Sequence, residues 1–134
     1  MTTYVDSSAL LKRYVEEVGS DMAEEYLSAD PTLTTSWVTA VEVRRNLARL
    51  LGGSDLINAQ AQFSVDLDAL AMISVTEDIA TAAGDIGETL GVRSLDAIHL
   101  ASAQRLRIDG LVFLTFDLRQ AQAARSMGLL VRGA

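Results

Sequence analysis

Short β-prone runs recur along this chain, and a longer helical stretch follows each of them except the last. Residues 3–5, 33–36, 71–75, 111–115 and 129–131 have the apolar and β-branched character of strands. Residues 7–15, 21–29, 37–51, 54–70, 76–90, 94–106 and 117–127 read as helices. In the third of these, Ala40, Val43, Leu47, Leu50 and Leu51 return at helical spacing. Stop and turn signals fall between the elements at Gly19, Asp30-Pro31, Gly52-Gly53, Gly91 and Gly128, and Ser54, Thr76 and Ser94 stand where N-caps belong. Such alternation argues for a sheet covered by helices on both faces. The expected fold is α/β: a single three-layer α/β/α domain over residues 1–134, with a mostly parallel five-stranded sheet. No linker, internal repeat or low-complexity tract interrupts it.

In an open sheet of this kind, ligands bind beyond the carboxyl ends of the strands. Asp6 directly follows the first strand and Asp117 closely follows the fourth. Glu42 lies less than two turns into the helix after the second, and Asp96 sits in the first turn of the helix opening at Ser94. Each acid has an ordinary explanation. Asp is a favoured N-cap, acids in a first turn complement the helix dipole, and Glu42 has Arg45 and Asn46 within reach on its own helix. Together they are harder to dismiss. A like-charge pair at 4 Å costs roughly 1 kcal/mol in water and roughly 4 kcal/mol at an effective dielectric of 20. A fold that gathers four carboxylates needs a cation to offset them.

Composition limits which cation. The 134 residues include no Cys and one His, so thiol nucleophiles, zinc ribbons, multi-histidine metal sites and a two-histidine ribonuclease are excluded within one chain. A site of oxygen ligands selects a hard ion such as Mg2+ or Mn2+. The formal net charge is −7, the opposite of a generic nucleic-acid coat protein, so any nucleic acid is engaged locally. Ten of the eleven bases are Arg and one is Lys12. That bias suits bidentate phosphate contacts and equally reflects a G+C-rich genome. The opening MTTYVDSSALLKRY reaches Asp6 before any apolar run forms, unlike a secretory leader, and no stretch approaches the roughly 18 apolar residues of a membrane span. The expectation is a soluble cytoplasmic protein.

These same residues carry a resemblance. YVDSSALLKRY, SWVTAVEVRRNL, RSLDAIHLASA and FLTFDLRQAQAARSMGL resemble, in order, the four motifs of the PIN-domain family, and within it the VapC-type ribonuclease toxins of toxin–antitoxin pairs. The likeness spans essentially the whole chain. It implies that Asp6, Glu42, Asp96 and Asp117 form an acidic quartet holding one or two Mg2+ or Mn2+ ions, supported by the small hydroxyl positions Ser7 and Thr115, with Ser8 beside them. It implies metal-dependent endoribonucleolytic cleavage of RNA leaving a 5′-phosphate and a 3′-hydroxyl. It also implies a cognate antitoxin whose C-terminal segment covers the site, and a homodimer.

The residue chemistry agrees: a water activated by a carboxylate-held cation is the nucleophile this composition supports. Asp6, Asp96 and Asp117 read as ligands, and Glu42 as a ligand or as the group orienting the water. His99, three residues after Asp96, is either a donor to that acid or a satisfied packing residue. Arg93, Arg44 and Arg45 either contact phosphates or offset the acids. Trp37 is a stacking platform or a packing residue, and Lys12 and Arg13 are a basic rim or ordinary surface. A haloacid-dehalogenase reading would need a second Asp at Ser8. A response-regulator reading would need a late Lys, and none follows position 12. The competing class is a non-catalytic PIN-like protein-interaction module.

Overall fold

The computed structural model describes residues 2–134. The elements run β1 (Thr2–Val5), α1 (Ser7–Leu11), α2 (Ser20–Ala29), β2 (Thr32–Ser36), α3 (Trp37–Leu50), α4 (Gly53–Ala69), β3 (Ala71–Ile73), α5 (Glu77–Leu90), α6 (Ser94–Arg105), β4 (Val112–Thr115), α7 (Leu118–Ser126) and β5 (Leu130–Gly133). The strands form one sheet in the order β3-β2-β1-β4-β5, and every pairing is parallel. The expected α/β architecture is present, with the sheet parallel throughout.

β1 and β4 lie at its centre and are apolar on both faces, as strands sandwiched between two helical layers must be. Tyr4 pairs with Phe113 and Val5 with Leu114. Because side chains alternate across a strand, these two pairs feed opposite faces. Val5 and Leu114 pack with Leu10, Leu27, Val43, Leu47 and Phe63 from α1, α2, α3 and α4. Tyr4 and Phe113 pack with Leu100, Ala103, Ala123 and Ala124 from α6 and α7. Helix α5 closes the second layer against α6 through Ile79, Ala83, Ala97 and Ala101.

Several boundaries differ from the sequence expectation. α1 ends at Leu11 instead of near residue 15, and Tyr14 and Val15 both turn back onto the Leu11 carbonyl. The chain then passes Gly19, whose φ of +91° and position against the Phe116 ring suit a residue without a side chain. Ser54 and Ser94 are not caps: Gly52 and Arg93 hold those positions, neither with a side-chain cap bond. Thr76 does cap α5, accepting from the Ile79 N–H. Trp37 is about half exposed at the start of α3 and does not belong to the core. Among the described residues no helix is long and apolar enough to cross a membrane.

The layers determine where a site can form. The chain leaves β1 into the layer containing α1 and leaves β4 into the layer containing α7. Diverging connections from neighbouring parallel strands open a crevice at their carboxyl ends. Asp6 and Asp117 are the N-caps of the two helices that diverge there.

Candidate active site

A cleft of about 300 Å3 opens at this crevice, and Asp6, Glu42, Asp96 and Asp117 all line it. They arrive from four elements: the β1–α1 junction, α3, the first turn of α6 and the β4–α7 junction. Ser7 and Ser8 line the cleft as well, with Lys12, Arg49 and Arg93 as its cations.

Asp6 is the deepest, only 4% exposed. Its carboxylate accepts from the Ser8 hydroxyl at 2.7 Å and from the Ala9 N–H at 3.1 Å. Burial pushes its pKa above the ordinary carboxylate value; the nearby His99 and the bonds from Thr115, Ser8 and Ala9 pull it back. Ser8 also joins the two strand ends, bonding the Thr115 hydroxyl at 3.3 Å and accepting from the Phe116 N–H at 3.0 Å. Thr115 in turn accepts from the Asp117 N–H at 3.1 Å. Ser8 and Thr115 are thus the hydroxyls that bond the two strand ends together, and Ser7 lines the cleft. Ser8 stands two residues after an Asp N-cap, the local spacing at which a serine can close onto such a carboxylate.

Asp117 caps α7 through the Gln120 N–H at 3.0 Å. Gln120 reaches across to the Asp96 carbonyl at 3.2 Å and ties α7 to α6, with its own Oε1 buried and unpartnered. Arg93 bridges the two outer acids, donating from Nε to Asp96 at 3.0 Å and from Nη2 to Asp117 at 3.4 Å. Arg44 and Arg45 do not line the cleft. Arg44 borders a separate groove with Phe63 and Leu67. Lys12 bonds Glu17, a fifth acid at the edge of the same cleft, and Arg13 pairs with Glu24 outside it.

Glu42 pairs with neither Arg45 nor Asn46 through its carboxylate; Asn46 bonds its backbone carbonyl. Its Oε1 lies 2.6 Å from His99 Nε2, and His99 Nδ1 lies 2.8 Å from the Tyr4 hydroxyl. His99 therefore serves Glu42 and not Asp96. Sequence reasoning missed Tyr4, Gln120 and Arg49 altogether, since a tyrosine inside a strand and a glutamine inside a helix give no local signal.

The donor set suits a hard divalent ion: four carboxylates share one cleft, and the single imidazole is buried with both nitrogens engaged. Among the described residues no three His, Asp or Glu groups stand close enough to hold an ion jointly. Arg93 holds one carboxylate oxygen of Asp96 and one of Asp117, and leaves the other oxygen of each unpaired with it.

The fold and cleft thus define a doubly wound α/β protein with an acid-rich cleft at its switch point. The PIN domain family model matches residues 3–126, and the chain belongs to that family. It is similar to Ribonuclease VapC46 of Mycobacterium tuberculosis, 35% identical over 128 residues that cover 96% of this chain and 94% of that protein. Two solved structures share the fold. One is the Mycobacterium tuberculosis VapC20, a Sarcin-Ricin loop cleaving toxin, with a TM-score of 0.75 and 20% identity over 90% of this chain and 94% of that one. The other is a toxin–antitoxin complex from Klebsiella pneumoniae, with a TM-score of 0.69 and 22% identity over 86% of each chain.

Proposed function

We propose that this protein is a divalent-metal-dependent endoribonuclease and the toxin of a toxin–antitoxin pair. The observation that carries the reading is the convergence of four carboxylates from four elements on one cleft at the switch point. The likeness to proteins named as VapC ribonucleases supports RNA as the substrate, and the likeness to a toxin–antitoxin complex supports a protein partner.

Asp6, Asp96 and Asp117 would hold Mg2+ or Mn2+, with Glu42 as a further ligand or as the group that orients the attacking water. Such an ion lowers the pKa of water and offsets the negative charge that develops on phosphate. The protein does the rest. Ser8 and Thr115 lock the β1–α1 and β4–α7 junctions so that Asp6 and Asp117 keep their separation. Arg93, once displaced from the acids, remains at the rim, where its fork can receive a phosphate. The antitoxin contribution that fits this cleft is a basic segment, drawn to the acids that line it. A homodimer and a cytoplasmic setting belong to the same reading.

The test is cleavage of a panel of structured RNAs with Mg2+, with Mn2+ and with EDTA. Products with 5′-phosphate and 3′-hydroxyl ends are expected, abolished by EDTA. Asp6→Asn and Asp117→Asn should each lose more than the ~10–100-fold typical of an outer-shell change. Cleavage that persists in EDTA, or that leaves cyclic phosphate ends, would sink the mechanism. Failure to cut any RNA, with no metal uptake, would favour the interaction module.

A further inference from the structure

A polar chain runs from the middle of the sheet to the cleft. Tyr4, fully buried on β1, is stacked on Phe113 at 5.3 Å between ring centroids and 6° between planes, so its hydroxyl has a fixed position. That hydroxyl meets His99 Nδ1 at 2.8 Å, with the two rings edge-on at 74°. His99 is 1% exposed. Its other nitrogen meets Glu42 Oε1 at 2.6 Å. Packing alone does not explain this arrangement, because an aliphatic residue would fill the same space without two polar atoms to satisfy.

The carboxylate end of the chain selects the tautomer, and the Tyr4 hydroxyl, able to donate or accept, can match it. An ionised carboxylate only accepts, so Nε2 must bring the proton to Glu42. A phenol holds its proton at neutral pH, and at 2.8 Å the Tyr4 hydroxyl can give it to an unprotonated Nδ1. Tyr4 therefore donates to His99, and His99 donates to Glu42. One carboxylate oxygen of Glu42 is held, and the other is left to the cleft that Glu42 lines.

We infer that His99 is a positioning residue for Glu42: the imidazole, as the Nε2–H tautomer with Tyr4 at its Nδ1, aims the free oxygen of Glu42 at the ion. This rests on the metal-site reading above. Glu42 sits on α3 and its anchor on α6 and β1, so the orientation of the acid is set by the sheet itself and not by its own flexible side chain.

His99 is the chain's only histidine, so the imidazole nitrogens give unambiguous signals in a long-range proton–nitrogen NMR spectrum. The expected spectrum shows an unprotonated Nδ1 and a protonated Nε2. Calorimetry with Mn2+ alone supplies the second readout. Loss of an outer-shell partner costs about 10–100-fold in metal affinity, so His99→Leu should weaken Mn2+ by at least about tenfold, while His99→Gln, which restores an N–H near Nε2, should stay within about threefold of the parent. Tyr4→Phe, which removes only the hydroxyl, should move the Nδ1 signal while Nε2 stays protonated against Glu42; an unmoved Nδ1 signal would overturn the Tyr4 contribution, and this variant serves if His99→Leu fails to fold. A protonated Nδ1 in the parent, or a folded His99→Leu with unchanged Mn2+ affinity, overturns the inference while leaving the nuclease reading intact. If Mn2+ affinity depends on His99 but no RNA is cut, the positioning role stands and the nuclease reading falls. If the parent binds no Mn2+, both fall.

Discussion

Asp6 is held in a state the fold resists. It is buried, and its pKa lies above the ordinary carboxylate value because burial outweighs the groups that favour the ion. A raised pKa means the folded protein binds the proton more tightly than the unfolded chain does. The associated stability is present below the unfolded value of about 3.9 and is lost as pH rises through the folded value. Above its unfolded value Asp6 is therefore a net cost to the metal-free protein. Asp6→Asn keeps an N-cap of equal quality. In EDTA at pH 7 it should melt higher than the parent, the advantage should shrink as pH falls toward about 4, and RNA cleavage should be lost. A variant that melts lower at pH 7 would show that the hydrogen bonds outweigh burial. The four acids were legible in the sequence because each lies at or just beyond a junction that the strand–helix alternation locates. The groups that steer them were not. His99 is three residues from Asp96 in sequence, yet its ring bonds an acid 57 positions away. Helical spacing identifies neighbours on one helix but not which helix packs opposite.

At the scale of elements, α6 holds the site together. Ala97, His99, Leu100, Ala101, Ser102 and Ala103 are all buried in it, so its sequence shows no polar face to orient a reader. The misplaced cap has another cause. Arg93, not Ser94, occupies the N-cap, with an extended backbone that leads its guanidinium to Asp96 and Asp117. Cap preference is a local tendency, and here the two acids are a competing partner for the residue at that position. Thr76 faced no such competitor and caps as its sequence suggests. Leu100 is fully buried against the Tyr4–Phe113 face. Leu100→Ala should destabilise by about 2–5 kcal/mol, read as a lower urea midpoint with an unchanged slope. Because α6 also carries Asp96 and His99, Mn2+ affinity should fall in the same variant. An intact midpoint would mean that the helix repacks freely and is not the rigid support described here.

Across the whole molecule, the alternation of strands and helices was enough to set the architecture, because a chain patterned this way has few means of covering both faces of a sheet. Charge sets how that architecture meets a polyanion. The net charge is −7 and the cleft is lined by five acids, Glu17 joining the quartet, against Lys12, Arg49 and Arg93. Lys12 is already committed to Glu17, and Arg93 to Asp96 and Asp117. Long-range attraction therefore contributes little, and RNA affinity must come from a few contacts beside the ion. Each phosphate neutralised on a single strand adds about 0.7 to the slope of log affinity against log salt, so three cations at most give a slope of about −2. A titration of Asp6→Asn with short single-stranded RNA, which binds without cutting, should give weak affinity and that shallow slope. Tight binding with a slope of about −5 or steeper would require a basic face elsewhere on the molecule. The shallow slope would instead leave selectivity to the shape of the RNA segment that enters the cleft.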